Sequence, residues 1–239
     1  EGLCCQRSGP RMIFADPFLD QITAALEPHG LVPRGGFVFG PDEAAPGLHG
    51  GAAARSVVLI GHFGSSIWPH FTRWRQSHRD QPDPLDAWSK AVLTQVAVEL
   101  DGQAVFPSDR PYLPFQQWAK RAEGLSASPL GLLIHPEYGL WQAFRGALLF
   151  DRAIGFPAVP LNNHPCDTCI EKPCLRACPV DAFDGARFAV DRCRSHLAVP
   201  EGALCMDGGC LARLACPVGR EHAYTADQQR FHMAAFAAA

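Results

Sequence analysis

Eight of the chain's ten cysteines fall between residues 166 and 216, and their spacing is the strongest chemical signal in the sequence. The first group reads Cys166-x2-Cys169-x4-Cys174-x3-Cys178-Pro179. The second reads Cys205-x4-Cys210-x5-Cys216-Pro217, with Cys193 between the two. Eight thiolates make two sets of four soft ligands, the number that a tetrahedral zinc ion or a cubane iron–sulfur cluster needs. A disulfide framework requires an oxidising compartment, which nothing in the sequence indicates. Structural zinc would be expected to bring two C-x2-C pairs, and only Cys166–Cys169 is present. The expectation is therefore two [4Fe–4S] clusters, with one cluster and spare cysteines as a further alternative.

The first group matches the bacterial ferredoxin run C-x2-C-x2-C-x3-C-P except for two extra residues before Cys174, and in that run the fourth cysteine serves the other cluster. By this crossing rule Cys166, Cys169, Cys174 and Cys216 hold one cluster, and Cys178, Cys193, Cys205 and Cys210 hold the other. Cys4 and Cys5 are adjacent, have no usable ligand spacing, and are read as bystanders in a leader or remnant spanning residues 1–11, ahead of Met12.

The elements that must position this chemistry alternate along the first two thirds of the chain. Asp16-Pro17 is an N-cap signal for a helix carrying Leu19, Ile22 and Leu26 at helical spacing and ending near Gly30. Residues 40–55 read as a loop, and Val57–Ile60 as a buried strand. Asp83-Pro84 repeats the cap signal before a helix that buries Leu85, Trp88, Val92, Val96 and Leu100. A short strand at Ala104–Phe106, a helix at Phe115–Ala122, and strands at Leu130–His135 and Ala147–Phe150 follow. The pattern predicts an α+β domain over 12–160, a small cluster-bearing domain over 161–225, and a frayed tail over 226–239. With 47% apolar residues the chain can bury a core, and no apolar run approaches the length of a membrane span. A net charge of −3 argues against broad phosphate-backbone binding. Arg73-Trp74-Arg75 with His78 and Arg79 is a short basic patch, read as a solvated helix face. A nucleic-acid partner is not expected, and the expected compartment is the cytoplasm.

A second motif, Ile134-His135-Pro136-Glu137-Tyr138-Gly139-Leu140-Trp141-Gln142-Ala143-Phe144-Arg145-Gly146, resembles the I-H-P-x-[FY]-G-x-W-x-[AI]-x-R-G segment of CblC-type cobalamin-processing proteins. Pro82-Asp83-Pro84-Leu85-Asp86 and Phe106-Pro107-Ser108-Asp109-Arg110-Pro111 resemble other pieces of that family, in the same order. The cysteine region is similar to that of epoxyqueuosine reductase and, more distantly, of the reductive dehalogenases. The resemblance covers roughly residues 56–220. It implies a flavin-reductase/nitroreductase-related α/β sandwich followed by a small bacterial-ferredoxin-like dicluster domain. Trp118-Ala119-Lys120-Arg121-Ala122-Glu123-Gly124-Leu125 parallels a W-A-x-R-A-G-L segment of epoxyqueuosine reductase. Ser108, however, stands where that enzyme carries its acid, with Asp109 one position away.

The resemblance implies a bound corrinoid (cobalamin) reduced by low-potential electrons from the clusters, with a flavin as the alternative cofactor. His135, Tyr138, Gly139, Trp141 and Arg145 are then the cofactor-binding candidates, in a loop over 133–146 between strands. Gly139 would allow close approach of a flat ligand, Tyr138 and Trp141 would form apolar walls, and Arg145 would pair with a carboxylate or amide edge. His135-x3-Gly139 also has the spacing of a cobalt-ligating histidine motif, and Asp109 is the candidate proton donor. Trp141 as core, Arg145 bound to a buried acid, and Asp109 as a turn residue are the structural alternatives. The expected electron donor is a ferredoxin or flavodoxin, and the substrate cobalamin or a small molecule. A non-catalytic dicluster carrier and an epoxyqueuosine reductase acting on tRNA are the competing functions. Gly61-His62-Phe63-Gly64-Ser65-Ser66 is read as a plain strand–helix connection.

Overall fold

A computed structural model describes residues 16–159 and 163–238. The reading of residues 1–11, with Cys4 and Cys5, lies outside the described residues. Asp16 caps α1 (Pro17–Leu26) by accepting the Phe18 N–H at 2.9 Å, and a 3-10 turn then closes on Gly30 in the left-handed region. Strand β1 (Val32–Val38), which the sequence reading missed, pairs antiparallel with β2 (Ser56–Phe63). Its glycines and Pro33 hide the apolar alternation, and pairing tolerates them because β1 is an edge strand.

Helices α2 (Trp68–Gln76) and α3 (Pro84–Glu99) follow. α3 buries Leu85, Trp88, Val92 and Val96 as its spacing predicts, but Asp83 is left-handed and its side chain does not cap the helix. Strand β3 (Gln103–Val105), helix α4 (Phe115–Glu123) and the two-residue strands β4 (Ser126–Ala127) and β5 (Leu133–Ile134) lead to β6 (Gln142–Phe150). The main sheet has order β1-β2-β6-β3 and is antiparallel throughout.

Alternation along the central strands feeds two cores. Val58, Ile60, Leu148 and Phe150 pack against α1, α2 and α3. Val57, Leu59, Ala147 and Leu149 pack against Phe115, Trp118 and Ala119 of α4 on the other face. The domain is thus a helix–sheet–helix sandwich. β6 begins five residues earlier than the predicted strand at Ala147, so Gln142–Gly146 are strand and not loop. The predicted strand at Leu130–His135 shrinks to β5.

The cysteine region is built from short helices: α5 (Pro173–Arg176), α6 (Val190–Leu197), α7 (Ala203–Gly208) and α8 (Leu211–Leu214). The tail expected to fray is helix α9 (Ala226–Ala238). Its Phe231 sits 5.5 Å from Trp68 and 5.3 Å from Phe71, ring to ring, so apolar burial against α2 holds it in place. Among the described residues no helix is long and apolar enough to cross a membrane.

Candidate functional site

The cysteines influence one another across their sequence groups. Burial pushes the Cys166 thiol up to about 11, and the next causes are the charges of Cys216, Cys174 and Cys169 beside it. Burial likewise pushes Cys193 up to about 11, with Cys210, Cys178 and Cys205 as its neighbours. Cys174 is raised by burial and then by Cys216 and Cys169; Cys210 is raised by burial, then by Cys205 and Cys178. Cys216, from the second sequence group, therefore joins the first three cysteines in space. All eight are free thiols.

The donor set fits iron–sulfur chemistry. Like charges that repel one another as bare thiolates need cations between them. Among the described residues no three His, Cys, Asp or Glu side chains are close enough to hold one metal ion. Backbone N–H groups also favour the anionic sulfur, from Val218 toward Cys216 and from Ala212 and Arg213 toward Cys210.

The first group packs against the loop that carries the second motif. Leu130, Ile134 and Leu140 share an apolar cluster with Cys174 and Cys216. Gly139, at φ +57°, crosses the backbone after Cys216 so closely that a Cβ would lie 2.0 Å from the Val218 carbonyl oxygen, and Gly219 meets Tyr138 in the same way. The close approach that Gly139 permits is thus to the cysteine segment, where the sequence suggested a flat ligand.

The sheet divides the predicted cofactor residues between its two faces. On the α4 face, Tyr138 is sandwiched between His135 and Phe63, with ring centroids 4.3 Å away on either side. Both of its faces are therefore occupied. His135 Nδ1 accepts the N–H groups of Glu137 and Tyr138, each at 3.1 Å, which orders the turn. Burial, then Arg34 and His222, hold His135 down at about 4, so it is a neutral imidazole. It lines a cleft of about 350 Å³ with Glu123 and Phe156. Beneath it Arg34 is bidentate to Glu123, both contacts 2.7 Å, and also donates to the His62 carbonyl and to Gln142 Oε1. The sequence reading passed over this pair because its partners lie 89 residues apart.

Arg145 is on the other face. Ile60 pairs with Gly146 and Gly61 with Phe144, so Arg145 is the extra residue of a β-bulge. A bulge re-aims a side chain, and here it swings Arg145 onto Asp86 of α3 at 3.0 Å. Asp109 belongs to this side as well, half exposed and paired with Lys90 one turn along α3 from Asp86. Its geometry is that of a turn residue held by an ion pair. Trp141 is 1% exposed and packs as core, sharing the Arg213 guanidinium with Tyr224 at 4.5 Å from each ring. Arg213, which lies between Cys210 and Cys216 in sequence, also donates to the Leu140 carbonyl.

His62 is the residue that the strand–helix reading of Gly61–Ser66 undervalued. It belongs to β2, is fully buried, and stacks on Tyr224 at 5.7 Å. Burial first, then Arg145, lowers it to about 3. No sequence pattern marks it, because its neighbours come from β6 and α9. The basic patch is more than one helix face, since Arg75 and Arg79 line a groove with Arg230 of α9.

The fold and cysteine groups define a helix-covered antiparallel sheet with a cysteine-rich appendage. Neither a family model nor a curated protein sequence matches the chain. The fold is shared with the B12-trafficking protein CblC of C. elegans, at 15% identity and a TM-score of 0.52 over 91% of each chain. Epoxyqueuosine reductase from Bacillus subtilis aligns over 72% of this chain and 50% of its own at 19% identity and a TM-score of 0.44. An epoxyqueuosine reductase bound to a modified tRNA stem loop gives 20% and 0.45 over 72% and 51%. The chain thus spans about half the length of the epoxyqueuosine reductases it matches.

Proposed function

We propose that the chain is an iron–sulfur reductase in which two [4Fe–4S] clusters supply electrons to a corrinoid, either to remove an upper ligand from cobalt or to reduce a small substrate. The observation that carries this reading is the packing of the free cysteines, Cys174 and Cys216 foremost, against Leu130, Ile134 and Leu140 of the loop that leads into β6. Cys166, Cys169, Cys174 and Cys216 would hold the cluster nearer the sheet, and Cys178, Cys193, Cys205 and Cys210 the other. Once bound, such clusters supply single low-potential electrons, the currency that a nucleophilic low-valent cobalt requires.

The protein's own residues do the positioning. Arg213 ties the cysteine segment to the Leu140 carbonyl, and the Gly139–Gly219 crossing locks that segment onto the Tyr138 turn. Burial at this junction excludes water, which limits leakage of reducing equivalents. The fold shared with a B12-trafficking protein supports the corrinoid half of the reading. His135 is left out of the cobalt ligation, because its Nδ1 accepts two backbone N–H groups, which puts the ring proton on Nε2 and leaves no lone pair for a metal.

The test is anaerobic reconstitution followed by titration with cob(II)alamin under visible and EPR detection. About eight iron atoms per chain are expected, with a cob(II)alamin spectral shift that saturates near one equivalent. Full iron loading without a shift would leave a dicluster electron carrier and end the corrinoid reading.

A further inference from the structure

Among the described residues, five side chains on or near α9 carry buried hydrogen-bonding atoms without a partner. His62 places Nδ1 3.1 Å from the Gly64 carbonyl, so Nδ1 carries the proton and the Nε2 lone pair is left without a donor. Arg145 pairs through Nη2 with Asp86 but leaves Nε unpaired. Trp141 leaves Nε1 unpaired, and Gln228, 0% exposed, pairs neither atom of its amide. His232, one turn further along α9, leaves Nε2 unpaired. Tyr224 ties the group together, with its ring 5.7 Å from His62, 5.6 Å from His232 and 5.4 Å from Trp141. Buried polar atoms in folded proteins are nearly always paired, so a cluster of exceptions marks a place built for something else.

We propose that these groups form a binding chamber for a carboxamide-bearing edge of a ligand, entered through the cleft of about 560 Å³ between α9, Arg75 and the start of α3. The class follows from the atoms on offer. Arg145 Nε and Trp141 Nε1 are donors that need an acceptor, whereas His62 Nε2 needs a donor, and Gln228 presents one of each. A simple anion leaves His62 unsatisfied and meets Asp86 at the mouth of the cleft, and a cation is opposed by Arg145. A carboxamide offers its carbonyl and its NH2 side by side. The corrin ring is fringed with such amides, so on the corrinoid reading, on which this naming of the ligand rests, the chamber receives one edge of the macrocycle and α9 forms its cover.

The test uses the full chain with reconstituted clusters and two probes, cob(II)alamin and dicyanocobinamide, which keeps the amide fringe without the nucleotide loop. The variant Gln228→Leu/His232→Phe fills the same space with apolar groups. In a closed interface with no ligand, replacing orphaned polar atoms is neutral or stabilising and leaves binding alone. Thermal stability without ligand is expected to hold or rise while affinity for both probes falls at least tenfold. Undiminished affinity in a folded variant overturns the chamber while leaving the function intact. If the variant does not fold, hydrogen exchange across residues 226–238 of the unaltered protein decides: slower exchange on adding cob(II)alamin supports the chamber, and unchanged exchange overturns it. Failure of the unaltered protein to bind either probe overturns the corrinoid reading and the chamber with it.

Discussion

His62, His135 and His232 are three imidazoles that the fold holds neutral, at about 3, 4 and 4, against an ordinary value of 6.5. Burial is the largest cause for each, and Arg145 beside His62, Arg34 beside His135 and Arg213 beside His232 add repulsion. Above pH 6.5 each ring is neutral folded or unfolded and contributes no pH dependence. Below it the unfolded chain takes up protons that the fold refuses, so stability falls with acid until the folded values are reached. The largest single contribution comes from the fully buried His62, roughly 1.4 kcal/mol for each pH unit below 6.5. Denaturant unfolding at pH 7, 6 and 5 is expected to show this loss, and His62→Phe to flatten it by about one proton's slope. An unchanged slope would mean that His62 titrates normally. None of this was legible in the sequence, where each histidine looks alike. The coupling arises because Tyr224 and α9 fold back onto β2.

At the scale of elements, the sheet explains why one motif has two destinations. Residues 134–146 read as a single ligand loop, yet the bulge at Arg145 sends that side chain to α3 while Tyr138 and His135 stay with α4. The Arg34–Glu123 pair braces the α4 face, and its side chains are 2% and 14% exposed. Removing one partner of a buried pair strands a charge, so Arg34→Met or Glu123→Gln alone should cost about 3–5 kcal/mol. The double replacement should cost less than the sum of the two. Urea denaturation of the four proteins in the cycle measures this, and additive losses would show that the pair is uncoupled. The capping signals at Asp16 and the apolar face of α3 were readable because helix chemistry is local. β1 and α9 were not, since edge pairing and the burial of Phe231 on α2 are tertiary events.

For the whole molecule, cysteine variants distinguish ligand sets that cross between the two sequence groups from sets that follow sequence order. Cys216→Ser should abolish the same cluster as Cys166→Ser and cut iron to about half, while the EPR signal of the other cluster persists. Cys205→Ser should remove the complementary signal. Loss of the same signal from Cys216→Ser and Cys205→Ser would show that the sets follow sequence order and not the spatial grouping.

The sequence by itself determined the spacing of eight cysteines in two groups and the alternation of helices and strands ahead of them. Both depend on residue type and short-range spacing. It also carried the motif that resembles cobalamin-processing proteins. Only the tertiary structure decided which cofactor candidates share a face, because a single bulged residue reverses a side chain's direction without altering composition. It also decided that Gly139 serves a backbone crossing and that the polar chamber lies beneath α9. Those properties belong to pairs of residues about 80 positions apart, His62 with Arg145 and Gly139 with Val218 among them, and no local pattern encodes which surfaces will meet.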